Sequence, residues 1–369
     1  MTLQLPTETD PPMTHSAQPK AAAAAAPQGA SVAGRRWVAA VSPRNIGAFY
    51  VLAIIIVVFS VWVPGTFPTS ATFKQILDSN AITAMAALAL VVPLSARTFD
   101  LSFAYTMTLS GCVAAHFVVS NHLSVPLACL LGVGAAFVIG VINGIVVVVM
   151  KIDSFIGTLA TGSLVQAFIT YFTSDITIND QRLTGSFSKF GQDDVNGIIY
   201  PVFYALVIAI ALWLFMEYSA TGRRLYATGF NPDAARLANI RVDRLRFCSL
   251  LVSATIAGLA GICLASSLSA GSPSAGTPYL LPAFASVFVG ATQFKSGRFN
   301  AWGTVVAVLM LGTGTIGLGL ASAPPWAADM FTGVVLLAAL GATGLQRRSL
   351  RAGRTGSLAA VLRRFRTAS

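Results

Sequence analysis

Charge is scarce in this 369-residue chain. Asp, Glu, Lys and Arg together make up 10% of it, against roughly 25% in ordinary soluble proteins. So few charges cannot cover a water-facing surface, which excludes soluble globular, coiled-coil and disordered classes for the bulk of the chain. Titratable groups are rarer still inside the apolar runs delimited below. Those runs hold the acids Asp78, Asp100 and Asp329, each close to a run end, and His116 near an outer boundary. Ends are where charge is least costly, so all four are expected at the membrane interface. Carriers driven by ion gradients need titratable groups near mid-membrane, and that requirement is not met in any obvious way. The four cysteines, Cys112, Cys129, Cys248 and Cys263, lie in apolar runs without zinc-ligand spacing, and are expected to pack as small apolar groups. There is no G-x-x-x-x-G-K-[ST] phosphate loop, no Ser/His/Asp set and no nucleophile elbow. The chain is therefore expected to hydrolyse no ATP, to hold no metal or cofactor, and not to be an enzyme.

What the chain has is grease. Apolar residues are 55% of it and mean hydropathy is +0.73. Runs long enough to cross about 30 Å of hydrocarbon recur at 46–64, 76–96, 98–119, 124–150, 154–173, 199–216, 247–269, 279–294, 300–320 and 326–345. Each should be helical, because unpaired backbone in lipid costs several kcal/mol per group. The run 279–294 is short and contains Pro282, which leaves open a broken helix. Placing the N-terminus inside gives outer segments that carry only Lys74, Arg182 and Lys189 of the 24 basic residues. That asymmetry obeys the positive-inside rule, so the expected fold is an all-α polytopic membrane protein of about ten transmembrane helices, both termini cytoplasmic. The net charge of +11 then marks a membrane side and not a nucleic-acid partner. Residues 1–45, rich in proline and alanine, read as a disordered cytoplasmic tail. Residues 46–345 form the membrane domain and 346–369 a basic cytoplasmic tail.

Small residues recur every fourth position at Gly132, Ala136, Gly140 and Gly144, and at Ser253, Ala257, Gly261 and Ala265. Such stripes let helix backbones approach closely, and structural packing is the expected role. The run Gly312, Gly314, Gly317 and Gly319 is expected to loosen its helix near the outer end. Uncharged polar residues inside the runs (Asn143, Thr158, Thr161, Ser163 and Gln166) can bond helices together or line an aqueous path for a hydroxylated solute, and helix bonding is favoured for Asn143.

The longest inner loop, 217–246, contains an Asn231-Pro232-Asp233 start signal: an N-cap, a residue suited to the first helical position, and an acid at the positive end of the helix dipole. A short helix from Pro232 to about Ala238 follows. Its residues suit an ordinary solvated loop and a rigid docking knob equally well. The outer loop 174–198, with Asp175, Asp180, Asp193 and Asp194, is open to the same two readings.

At the inner loop the sequence becomes recognisable. GRRLYATGFNPDAARLANIRVDRLR resembles the cytoplasmic segment of ribose-type monosaccharide permeases, the membrane subunits of bacterial ATP-binding-cassette importers. Phe99-Asp100-Leu101-Ser102, Gly140-Val141-Ile142-Asn143-Gly144 and Phe155-Ile156-Gly157-Thr158-Leu159 resemble further segments of that family in the same order. So does 273–320, with Gly276, Tyr279, Gly290, Thr292, Gly303 and Thr304 in place. Departures are Arg97-Thr98 for a usual glycine pair, Phe103-Ala104 for Val-Gly, Leu280-Leu281-Pro282 for an acidic stretch, and Gly290-Ala291-Thr292-Gln293 for G-G-T-S. The resemblance implies a type II importer-like permease that works as a pair, in a homodimer or related heterodimer. It also implies two ATPase subunits that use ATP below and a periplasmic or lipid-anchored solute-binding protein above, all at the bacterial inner membrane. It assigns ATPase coupling to Gly222, Arg223, Asn231, Pro232, Asp233, Ala235 and Arg236. The path candidates are Asp100, Ser102, Asn143, Thr158 and Gln166. An ion-coupled secondary transporter is the alternative, and a non-transporting scaffold a third class.

Overall fold

Helices dominate, as the apolar runs require. The computed structural model describes residues 43–293, 297–338 and 341, the side chains of 43–48 and 293 excepted. The expected N-terminal tail up to residue 42, Lys295 and the basic tail at 346–369 lie outside the described residues. Six helices are long and apolar enough to cross a membrane, and four shorter apolar helices accompany them. In chain order the helices are α1 (Pro43–Trp62), α2 (Ser70–Ser95), α3 (Phe103–Val119), α4 (Val125–Gly144), α5 (Ser154–Thr173), α6 (Lys189–Gln192), α7 (Tyr200–Tyr218), α8 (Ala220–Phe230), α9 (Pro232–Leu237), α10 (Val242–Leu268), α11 (Leu280–Gln293) and α12 (Ala301–Leu320). A last helix, α13, covers Trp326–Ala338. A π-helical turn, Ile145–Val149, extends α4.

Two of these helices form the centre. From Ala84 to Ala96, α2 is buried on every side, as befits a helix that is apolar all round. Beside it, α10 packs against α2, α3 and α4. The small-residue stripes explain how. A Cβ on Gly261 would stand 1.9 Å from the Met107 carbonyl oxygen of α3, and one on Gly140 would stand 2.8 Å from Ala254 Cβ of α10. Neither approach tolerates a side chain, so the stripes are packing surfaces as expected. Lipid tails are as apolar as leucine, and close van der Waals contact of this kind is what holds helices together in a membrane.

Several expectations change. The expected runs 76–96 and 98–119 are separate helices, but the irregular stretch between them is longer, 96–102, where the chain leaves α2 through Arg97 at φ 57° before α3 begins. The glycine run in α12 does not loosen its helix. Ala301–Leu320 is continuous, and Gly312, Gly314 and Gly317 admit the side chains of Asn80, Phe331 and Phe59. The outer loop is ordered rather than simply solvated, and the fold is not purely helical. Strand β1 (Ile178–Asn179) pairs antiparallel with β4 (Ala270–Gly271), and β2 (Asp194–Val195) with β3 (Ile198–Ile199) across an Asn196-Gly197 turn with both residues at positive φ. Such a turn matches the twist of a two-residue hairpin. Leu183 and Phe187 are fully buried, and Ser266 Oγ of α10 donates to the Phe187 carbonyl at 2.6 Å.

Candidate functional site

Two regions gather the residues singled out by sequence. The first is a polar knot at the break between α2 and α3. Asp100 lies at a helix end, between α2 and α3, but it is 0% exposed and sealed among helices, so it lacks the solvent contact that an interfacial charge was expected to have. Both of its carboxylate oxygens accept hydrogen bonds. Ser102 Oγ and Ser102 N donate to Oδ1 at 2.7 and 3.1 Å, and Ser253 Oγ of α10 donates to Oδ2 at 2.7 Å. Asn143 Nδ2 of α4 donates to Ser102 Oγ at 2.6 Å. Thr158 Oγ1 of α5 accepts from Leu101 N at 2.9 Å, and Ser154 Oγ accepts from Phe99 N at 3.0 Å. The irregular backbone of 99–102 thus finds side-chain partners on α5, which is what burial of unpaired N–H groups demands. Four of the five path candidates meet here. Gln166 does not: it is half-buried further along α5, with Nε2 donating to the Pro273 carbonyl at 3.2 Å. Ser253 had been visible in the sequence only as a stripe member, and its partnership with Asp100 spans 153 positions. Asp78 and Asp329 behave as expected of interfacial groups. Asp78 Oδ1 accepts from Ile199 N at 3.1 Å in the outer hairpin, and Asp329 is exposed.

The second region is the inner knob. Ser219 leaves α7 in an extended conformation and caps α8 by accepting from Gly222 N at 2.9 Å. The corner is tight enough that a Cβ on Gly222 would stand 2.4 Å from the Met216 carbonyl. Asn231 ends α8 and starts α9, its Oδ1 accepting from Asp233 N and Ala234 N at 3.1 Å each. The expected short helix and its cap are both present. Arg236 bridges Asp233 at 3.4 Å and Asp243 at 3.2 Å, pairs too exposed to add much stability. Of the coupling residues named from the resemblance, Arg223, Asn231, Asp233 and Arg236 are exposed, Pro232 is partly exposed, and Gly222 and Ala235 are buried as spacers. Sequence reasoning missed Phe230 and Leu237, which flank the knob at 90% and 91% exposure. Two large apolar residues inside an otherwise charged inner loop were the available signal.

The arm behind the knob, α8, is braced. Leu225 and Thr228 are buried, and Gly229 lies so close to the end of α2 that a Cβ there would meet the Ser95 carbonyl at 2.0 Å. Tyr226 donates its hydroxyl to the Phe299 carbonyl at 2.8 Å, and the Arg298 guanidinium sits 3.9 Å over its ring. Burial pushes the Tyr226 phenol up to about 12, so it stays a neutral donor at physiological pH. The knob is thereby joined to the ends of two membrane helices, α2 and α12. An exposed apolar-and-charged tip on a braced arm is what a docking element needs.

The profile of the family described as Branched-chain amino acid transport system / permease component matches residues 72–340. The chain belongs to this family. Relatives within reach of this permease chain include the ribose import permease protein of Escherichia coli (strain K12), 29% identical over 313 residues, covering 84% of this chain and 97% of the relative. The D-allose transport system permease protein of the same strain is 29% identical over 294 residues, 80% and 90% of the two chains. The fructose import permease protein of Rhizobium meliloti is 28% identical over 296 residues, 79% and 82%. All three relatives are transport permeases and not enzymes, and this permease is a multi-pass membrane protein like the family at large. The matched region contains both the polar knot and the inner knob.

Proposed function

We propose that this permease is the membrane subunit of an ATP-binding-cassette importer that moves a monosaccharide or similar small polar solute inward by alternating access. In this reading ten helices cross the inner membrane of a bacterium, with both termini cytoplasmic. A second permease copy, a homodimer or related heterodimer, encloses the path. Two ATPase subunits dock on the inner face and use the ATP, and a periplasmic or lipid-anchored solute-binding protein docks on the outer loops, including 174–198. The chain itself holds no cofactor and catalyses nothing. The observation that carries the reading is the Asn231-capped knob, with Phe230 and Leu237 exposed on either side and a braced arm behind it. The coupling residues Gly222, Arg223, Asn231, Pro232, Asp233, Ala235 and Arg236 shape and present that knob. Asp100, Ser102, Asn143 and Thr158 hold the helices that border the path, and the amide oxygens of Gln166 and Asn143, both buried without a partner among the described residues, are the candidates left to accept from a solute hydroxyl.

The test is reconstitution with the partner ATPase. The purified permease has no ATPase activity alone and restores solute-dependent activity to the complex. A Phe230→Ser, Leu237→Ser double variant lowers the apparent affinity for the ATPase by at least ten-fold, as loss of exposed apolar anchors does, while expression is unchanged. Unaltered stimulation in that variant defeats the docking assignment. The sealed carboxylate of Asp100 is the observation that favours an ion-coupled carrier instead, since buried acids mark ion pathways. Uptake into vesicles driven by a proton or sodium gradient, with no ATPase present, decides for that reading.

A further inference from the structure

Beside the knob lies a cleft of about 630 Å³ that the coupling reading touches only through Arg236. Four cationic side chains line it: Arg97 from the α2–α3 break, Lys151 from the turn after α4, Arg236 from the knob and Arg246 from the start of α10. Two carboxylates share the lining, Asp153 and Asp243. Asp153 caps α5 by accepting from Phe155 N and Ile156 N, and Asp243 pairs within the lining with Arg236 at 3.2 Å. Arg246 keeps a buried Nε without a hydrogen-bond partner among the described residues. Arg97 and Lys151 both stand at φ 57°, a left-handed conformation that glycine adopts freely and a long side chain adopts at a cost of roughly 1–2 kcal/mol. Two strained turns therefore carry basic residues into one cleft whose acids are already spoken for.

The cleft also has apolar side chains in its lining, Val147, Val148 and Ile152. Their close neighbours along the chain, Val149, Met150 and Ile156, are 67%, 61% and 63% exposed. A cationic cleft lined in part by apolar side chains, on segments with exposed apolar neighbours, fits a molecule with a phosphate at one end and hydrocarbon at the other. We propose that the cleft binds the phosphate of an anionic phospholipid, whose acyl chains lie against Val149, Met150 and Ile156. A basic pocket at the end of membrane helices recognises such headgroups by charge, at roughly a five-fold gain in affinity for each Lys or Arg near the phosphate. Free inorganic phosphate shares the recognising chemistry but leaves those apolar side chains without a partner.

The test uses the full-length permease, stripped of lipid in neutral detergent, with bound lipid per protein measured against phosphatidylglycerol and phosphatidylcholine of the same acyl chains. The expected result is a preference for phosphatidylglycerol of at least ten-fold. Arg97→Gln and Lys151→Gln each lower it roughly five-fold, and Lys151→Arg retains it. Arg241→Gln and Arg244→Gln, which remove charges from the same inner segment but outside the cleft, leave it unchanged. Equal losses in all four glutamine variants mean a diffuse basic face and overturn the proposal, as does the absence of any preference. Displacement of the lipid by millimolar inorganic phosphate assigns the cleft to free phosphate and overturns the lipid reading.

Discussion

The polar knot at Asp100 and the knob at Asn231 are built from the same kinds of residue and put them to opposite uses. In the knot every candidate side chain is buried, and the carboxylate accepts three hydrogen bonds from within the protein. In the knob the carboxylate of Asp233 is 90% exposed, its ion pair is loose, and the largest apolar groups face outward. Apart from Asn143 Oδ1, which is buried without a partner among the described residues, the knot's candidate side chains are satisfied, and such networks hold architecture together, whereas exposed apolar groups on a braced support invite a partner. The contrast teaches that in this permease the conspicuous buried acid fastens helices together, while the exposed apolar groups of the knob are what the proposed docking would use.

Three substitutions test that contrast, in order of expected effect. Asp100→Ala removes the acceptor for Ser102 and Ser253 and strands both hydroxyls in a sealed site. A loss of about 3 kcal/mol is expected, read as a large drop in the thermal unfolding midpoint in detergent. A variant as stable as the parent would end the fastening interpretation. Asn231→Ala deletes the cap of α9 at a cost of about 1 kcal/mol confined to the knob, while Asn231→Gly costs a few tenths. Global unfolding should hardly move, whereas protease cleavage at the α8–α9 junction should rise in the alanine variant and not in the glycine variant. Tyr226→Phe removes the bond to the Phe299 carbonyl but keeps the ring under Arg298, and about 1 kcal/mol is expected. Hydrogen exchange in α8 should rise by a few-fold with no shift elsewhere. Exchange that spreads into α10 would show that the arm and the core are one cooperative unit.

Much of the framework was legible in the sequence because apolar length and small-residue spacing act locally. The limits of α5 coincide with the expected run 154–173, and Asn231-Pro232 announces the start of α9. What was hidden depends on distant partners. The burial of Asp100 depends on Ser253, far away in the chain. The helical state of α8 was invisible because Gly222 and Gly229 argue for a loop, and propensity alone would leave it one. It is Leu225 and Thr228, buried against the membrane helices, that make the helix worth forming. The anchoring of the outer loop was hidden in the same way: its four aspartates are exposed or partly exposed, while Leu183 and Phe187 fasten it to the core. Within the candidate site, the coupling segment was recognisable as a motif. Which of its residues point outward was not, since Ala235 and Gly222 serve as spacers beneath the surface.

One dimension of α8 has a mechanical consequence. Eleven helical residues make a rod roughly 16 Å long at about 1.5 Å per residue. Pivoted where Gly229 presses on the end of α2, the roughly 13 Å of rod back to Ala220 turns a tilt of about 10° into a sweep of roughly 2 Å at that end. A shift of that size breaks a hydrogen bond, so a small tilt trades one set of contacts at the α7–α8 corner for another. If the proposed coupling holds, the stiffness of this small strut sets how faithfully a shove on the knob becomes a displacement of the membrane helices.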